Sequence, residues 1–243
     1  MQGRMRHGAM RRADTSGNGG WLMANPLYTK EALRSSMLLY AVTDRAWLQG
    51  RTLADCVKQA IGGGATFVQL REKEAPREEI AELGRELLKL CREAGVPFVI
   101  DDDVEIALEI GADGVHVGQD DMACENARAV LGSEAIVGVS AQTVEQALAA
   151  QAAGADYLGV GALIPTPTKP DAVDVTFEEL RAICDAVDIP VVGIGGLNVR
   201  TIGKLKGSHA DGAAVVSAIF AADDCELAAR ELRAVCEETF KAQ

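Results

Sequence analysis

The sequence predicts an α/β protein: one closed (β/α)8 TIM barrel of the phosphate-binding type, with an N-terminal extra helix. Three observations predict it. The chain has 243 residues, close to the roughly 250 typical of such a barrel. A phrase of small residues, then a β-branched run, then polar residues returns eight times. Between these runs lie amphipathic patterns that close on Gly or Ala-Gly. Near-continuous Val, Ile and Leu runs suit parallel strands buried on both faces. An open doubly wound sheet would show two unlike halves, and the spacing here is even.

Taken in order, residues 1–25 are Arg-rich and end in Gly, Ser and Asn, with no apolar h-region. They read as a disordered N-terminal extension rather than a secretory signal. Residues 26–243 form the barrel domain. Pro26–Ser36, PLYTKEALRSS, reads as an extra helix capping the bottom of the barrel. The strand phrases are MLLYAVTDR from Met37, GATFVQLREK from Gly64, VPFVIDDD from Val96 and ADGVHVGQDD from Ala112. The remaining four are EAIVGVS from Glu134, ADYLGVG from Ala155, IPVVGIGG from Ile189 and DGAAVVSAI from Asp211. REEIAELGRELLKLCREAG is the clearest helix, with Ile80, Leu83, Leu87, Leu90 and Cys91 on one face. VEQALAAQAAG and FEELRAICDAV follow the same rule, and their closing small residues suit a C-cap.

Composition narrows the function. A formal net charge of -12 with 4% aromatic residues argues against a nucleic-acid surface built on basic patches and base stacking. No apolar run reaches the roughly 18 residues of a membrane span. Cys56, Cys91, Cys124, Cys184, Cys225 and Cys236 are scattered, with no C-x-x-C pair. They read as buried small apolar residues of a reduced, cytoplasmic protein. Oligomeric state is left open, with a homo-oligomer among the options.

In this architecture the site lies at the C-terminal ends of the strands. Gln69, Arg71 and Lys73 follow the second strand and share one face of an extended segment. Two cations aimed alike in an acidic chain suit an anionic ligand, and would serve equally as surface salt-bridge partners. Asp101-Asp102-Asp103 and Gln119-Asp120-Asp121 follow the third and fourth strands. Such carboxylates could converge on a hard cation such as Mg²⁺, or cap the helices that follow; both uses are expected, on different members. The sixth strand leads to Pro165 through Asp171, PTPTKPD, and the last two lead to Gly193-Ile194-Gly195-Gly196 and Val216-Ser217. Loops after these last strands commonly bind phosphate through backbone N–H groups. His116 lies within the fourth strand and reads as a hydrogen-bonded barrel residue rather than a base. No Ser/His/Asp or Cys/His set stands at the strand ends, which favours positioning and charge stabilisation over nucleophilic catalysis.

In order, VTDR, GGGATFVQLREK, DDDVEIALEIGADGVHVGQDD, VGVS, DYLGVGALIPTPTKPDA, VVGIGG and VVSAI resemble the thiamine phosphate synthase family. The resemblance runs from about Leu38 to Phe220. It implies a transferase that condenses a pyrimidine diphosphate with a thiazole phosphate. It implies that Gln69, Leu70, Arg71, Glu72, Lys73, Asp101, Ser140 and Lys169 hold the pyrimidine diphosphate, with Arg71, Lys73, Ser140 and Lys169 carrying the chemistry. Asp102 and Asp121 match the family's Mg²⁺ ligands. Thr166, Pro167, Thr168, Gly196, Val216 and Ser217 match its thiazole phosphate site. No nucleic-acid or membrane partner is implied. The family usually has Asn-Asp where this chain has Asp101-Asp102, which adds a negative charge at the diphosphate end. The rival readings are a thiazole tautomerase on the same barrel, a phosphate-sugar epimerase, and a catalytically inactive barrel that binds thiamine precursors.

Overall fold

The structure, a computed structural model, describes residues 29–48, 50–118, 124–165 and 175–241. Eight strands pair in parallel and in chain order, and the first closes on the last. They are β1 (Leu39–Val42), β2 (Phe67–Leu70), β3 (Phe98–Asp101), β4 (Gly114–Val117), β5 (Ile136–Ala141), β6 (Tyr157–Val160), β7 (Val191–Ile194) and β8 (Gly212–Val215). Around them run α1 (Lys30–Ser36), α2 (Leu53–Gly62), α3 (Arg77–Ala94), α4 (Val104–Ile110) and α5 (Cys124–Leu131). The circle continues with α6 (Val144–Ala152), α7 (Phe177–Ala186), α8 (Ser217–Phe220) and α9 (Cys225–Phe240). The predicted barrel is present.

The strands divide their side chains by parity, as a period of two requires. Tyr40, Val42, Phe67, Val99, Ile136, Tyr157, Val192 and Ala214 fill the barrel interior, joined by Leu33 and Met37 from the end of α1. Their neighbours Leu39, Ala41, Val68, Leu70, Phe98, Ile100, Val115 and Val137 face outward into the helix layer. This double burial is why the strands read as unbroken apolar runs. In α3 the buried line is Ala81, Gly84, Leu87, Leu88 and Cys91, with Ile80, Leu83 and Leu90 partly buried beside it. The apolar stripe is therefore wider than the predicted face.

Helix ends follow side-chain chemistry. Thr52, Asp103, Thr143, Thr176 and Asp224 each accept a backbone N–H of the first turn, the usual N-cap bond. Gly95 and Gly111 close α3 and α4 in the left-handed conformation. Strict alternation fails after β7, where a single 3₁₀ turn, Ile202–Leu205, stands in place of an α-helix. Gly203 and Gly207 interrupt that segment, and glycine lowers helix stability.

Of the predicted Pro26–Ser36 helix, α1 begins at Lys30 behind the N-cap Thr29; residues 26–28 lie outside those described. Its role at the bottom is direct: Leu33 and Met37 plug the barrel, while Arg34 binds the Asp188 carbonyl at 2.8 Å and pairs with Asp211. A second device recurs at that end. Thr66, Asp113, Asp156 and Asp211 stand one residue ahead of β2, β4, β6 and β8. Their side chains accept N–H bonds from Leu39, Phe98, Val137 and Val191, each at 2.8–2.9 Å. Each ties its strand to the start of the preceding one.

Candidate active site

Polar side chains collect at the opposite, C-terminal mouth of the barrel. Gln69 is the last inward-facing residue of β2 and is 4% exposed. Its Nε2 donates to Asp101 Oδ1 at 2.7 Å. Two and four residues further on, past the end of β2, Arg71 and Lys73 reach the same carboxylate. Arg71 Nε lies 3.8 Å and Lys73 Nζ 3.3 Å from Asp101 Oδ2, and Lys73 also pairs with Asp102. The shared face inferred from residues 69, 71 and 73 is thus one cluster around Asp101. Thr43, fully buried at the end of β1, accepts the Arg71 N–H at 3.0 Å and fixes where the cationic segment starts.

The three aspartates after β3 divide their work. Asp103 caps α4, accepting the Ile106 N–H at 2.7 Å. Asp102 sits at φ 62, in the left-handed region that Asp and Asn tolerate better than most residues. Asp101 points into the barrel. Burial, then the neighbouring Asp102 charge, push the Asp101 carboxyl up to about 6 against the pull of Lys73 and Arg71. For Lys73, burial works against the charge, but the Asp102 hydrogen bond and both aspartate charges leave its pKa raised overall. Within the cluster, burial and like charge thus favour a proton on Asp101, while Lys73 is held in its charged form.

Other expected site residues fall on the same rim. Ser140, in β5, has its Oγ 3.0 Å from His116 Nε2, and His116 Nδ1 lies 2.9 Å from the Tyr157 hydroxyl. Gly195 and Gly196 follow β7 with φ values of 97 and 66. A Cβ on Gly196 would stand 2.6 Å from the Ile164 Cβ, so only glycine lets this loop close against the segment after β6. Val216 and Ser217 follow β8, with Ser217 opening α8.

Two expected contacts are placed differently from the rest. Leu70 is 1% exposed and packs in the outer layer, so a substrate contact there would fall to its backbone. Glu72 turns away from the Asp101 cluster to pair with Arg45. Asp121, Thr166, Pro167, Thr168 and Lys169 lie outside the described residues. Among the described residues no three His, Cys, Asp or Glu side chains gather as a metal site. The six cysteines are free thiols, five of them buried. Sequence reasoning missed Thr43 as a support and the Tyr40–Tyr157–His116 chain beneath Ser140; the parity of Tyr40, Tyr157 and His116 along their strands was the available signal.

The chain resembles known proteins along most of its length. A family model described as thiamine monophosphate synthase matches residues 39–219. The chain is 47% identical over 206 residues to a thiamine-phosphate synthase of Syntrophomonas wolfei, covering 84% of this chain and 99% of that one. It superposes on a thiamine phosphate pyrophosphorylase from Pyrococcus furiosus with a TM-score of 0.79 at 42% identity, covering 85% and 98% of the two chains. A 3-hexulose-6-phosphate synthase matches at a TM-score of 0.62 and 21% identity, with 82% and 99% covered, which shows the fold alone.

Proposed function

The chain belongs to the thiamine monophosphate synthase family, and from that premise we propose that it forms thiamine phosphate at the mouth of its barrel. The observation that carries the reading is the convergence of Gln69, Arg71 and Lys73 on Asp101 and Asp102. A departing diphosphate needs cations already in place, and these are held there by side chains of the same rim.

The reaction proposed is dissociative. The bond between the pyrimidine methylene carbon and the diphosphate oxygen breaks, and its electron pair leaves with the diphosphate. Electron release from the ring amino group stabilises the methylene cation, and the thiazole nitrogen lone pair then forms the new C–N bond. Arg71 and Lys73, with Lys169, act on the leaving group, where charge grows as the bond breaks; contacts of that kind lower the barrier. Ser140 donates its hydroxyl to the same group. Gly196, Val216 and Ser217 offer backbone N–H groups to the thiazole phosphate, with Thr166, Pro167 and Thr168 completing that site.

Mg²⁺ fits the residues present. Asp102 is a hard oxygen donor at the rim that already draws an ammonium group, and its charge raises the Asp101 carboxyl. One or two carboxylates plus substrate phosphates is a usual Mg²⁺ site. Asp102 would hold the ion with Asp121, and the ion would supply charge compensation to the diphosphate. Lys73 would be released from Asp102 toward the substrate. Among the described residues no helix is long and apolar enough to cross a membrane, and the free, mostly buried cysteines support a reduced, cytoplasmic setting.

The test is direct: the protein is mixed with both substrates and Mg²⁺, and thiamine phosphate and diphosphate are measured. Equimolar appearance of the two is expected. Thiazole isomerisation without coupling would favour the tautomerase, and binding without turnover the inactive barrel. A second measurement concerns Lys169→Ala, which should slow the single-turnover step more than it weakens thiazole phosphate binding. The reverse pattern would move Lys169 to the thiazole pocket.

A further inference from the structure

Beneath Ser140 a line of buried polar groups runs down the barrel axis. His116 Nε2 is 3.0 Å from Ser140 Oγ, His116 Nδ1 is 2.9 Å from the Tyr157 hydroxyl, and that hydroxyl is 2.8 Å from the Tyr40 hydroxyl. Tyr40 and Tyr157 are 1% and 0% exposed. A buried O–H without an acceptor is costly, which fixes the direction of each bond. The Tyr40 hydroxyl has Tyr157 as its one hydrogen-bond partner among the described residues, so its proton goes to Tyr157. The Tyr157 proton then goes to its other partner, His116 Nδ1. With Nδ1 accepting, a neutral imidazole carries its proton on Nε2 and donates it to Ser140 Oγ.

The packing shows that this line is built. A Cβ on Gly138 would stand 2.1 Å from the Tyr157 ring, and a Cβ on Gly159 would stand 3.1 Å from His116 Cε1. Both glycines are in strands, where glycine otherwise weakens the sheet. Each leaves the hollow that one of the two rings fills. The Tyr40 and Tyr157 rings also meet edge to face at 5.9 Å, and both pack on Phe67. Burial raises the pKa of both phenols, which keeps the protons needed for this order.

We infer that Tyr40, Tyr157 and His116 are positioning residues that orient the Ser140 hydroxyl as a donor toward the leaving diphosphate. This rests on the reading of Ser140 as a diphosphate contact. A hydroxyl that accepts from Nε2–H must aim its own proton elsewhere, and bonds in such a chain strengthen one another. The contact would grow as negative charge gathers on the diphosphate, so its effect belongs to turnover rather than to binding.

The experiment pairs spectroscopy with a double-mutant cycle on the full chain. Nitrogen NMR of ¹⁵N-labelled histidine, with the His116 signals assigned by their loss in His116→Asn, should show Nε2 protonated and Nδ1 bare at neutral pH. Tyr157→Phe keeps the ring that fills the Gly138 hollow, so the fold should persist. It should bring in the Nδ1-protonated form and slow single-turnover diphosphate release by about three- to tenfold. The KM for thiazole phosphate should not move. In a Ser140→Ala background the same change should cause no further loss. Nδ1 protonation in the unaltered protein, or losses that simply multiply, would overturn the inference. If Ser140→Ala alone leaves the rate unchanged, the diphosphate contact falls and the link to turnover with it, while the imidazole signals still decide the bond order.

Discussion

Both ends of this barrel carry aspartates, and they are used in opposite ways. At the bottom, Asp113, Asp156 and Asp211 each accept a strand N–H at 2.8 Å, and Asp156 and Asp211 also pair with Arg128 and Arg34. Every such bond satisfies a backbone donor that the sheet leaves over at its edge. At the top, Asp101 and Asp102 are adjacent, raise one another's energy, and draw two cations toward the same point. A carboxylate whose partners are backbone donors stabilises the fold. A carboxylate crowded against another carboxylate costs stability and stays useful only if a ligand resolves the conflict.

The sharpest break between the two ends should come from Asp102. Asp102→Asn removes the charge while keeping a residue that tolerates φ 62. With the proposed Mg²⁺ role for Asp102, losing this charge should lower kcat by about a hundredfold or more, with little change in melting temperature. A chelator should abolish the activity of the unaltered protein. Near-normal turnover of Asp102→Asn, or full activity in excess chelator, would remove Asp102 from the metal shell.

The matching change at the bottom is Asp113→Ala, which leaves the buried Phe98 N–H without this acceptor. Hydrogen bonds to charged groups are worth about 1.5–3 kcal/mol, so denaturant unfolding should show a loss of that size. Activity per folded molecule should stay the same, because Asp113 lies a strand's length from the mouth. Asp113→Asn keeps an acceptor oxygen and should cost less than half as much. A large fall in kcat with unchanged stability would reverse the roles assigned to the two ends.

The barrel and its strand order were legible in the sequence because double burial writes each strand as an apolar run, and eight such runs were countable. The mouth was half legible. Parity placed Gln69, Arg71 and Lys73 on one face, and the run of three aspartates announced a divided role that Asp103, as a cap, and Asp101, as a buried acid, now show. The bottom was not recognised, although Ala-Asp opens two of the strand phrases and Ala210-Asp211 leads into a third. The bond that explains those aspartates runs to the preceding strand, 15, 19 or 20 residues earlier, and a local pattern carries no mark of its partner. The Tyr40–Tyr157 contact spans 117 residues and was hidden for the same reason. The 3₁₀ turn after β7 was masked by the expectation of regularity itself.

The smallest expected effect, and the one that tests the crowding argument most closely, is Asp101→Asn in the metal-free protein. An unfolded aspartate titrates near 3.9, and burial with the Asp102 charge puts the folded value at about 6. Between those values the folded chain holds a proton that the unfolded chain has released. Stability therefore falls as pH rises through this window, and the penalty is complete above about pH 6. Asparagine cannot ionise, yet its carbonyl oxygen can still accept the Gln69 N–H that Asp101 accepts at 2.7 Å. The pull of Lys73 and Arg71 is already contained in the net shift. Asp101→Asn should thus stabilise the protein by about 1–2 kcal/mol at pH 8, with the gain shrinking to nothing near pH 4. Chemical denaturation of both proteins across that range measures the difference. If residue 101 meets the amino group of the pyrimidine, as we propose, turnover should remain within about tenfold, roughly 1.4 kcal/mol of barrier, because either oxygen can accept from that group. Asp101→Leu should lose far more. A gain that ignores pH would mean that Asp101 is not the acid under strain, and the contrast between the two ends would rest on Asp102 alone.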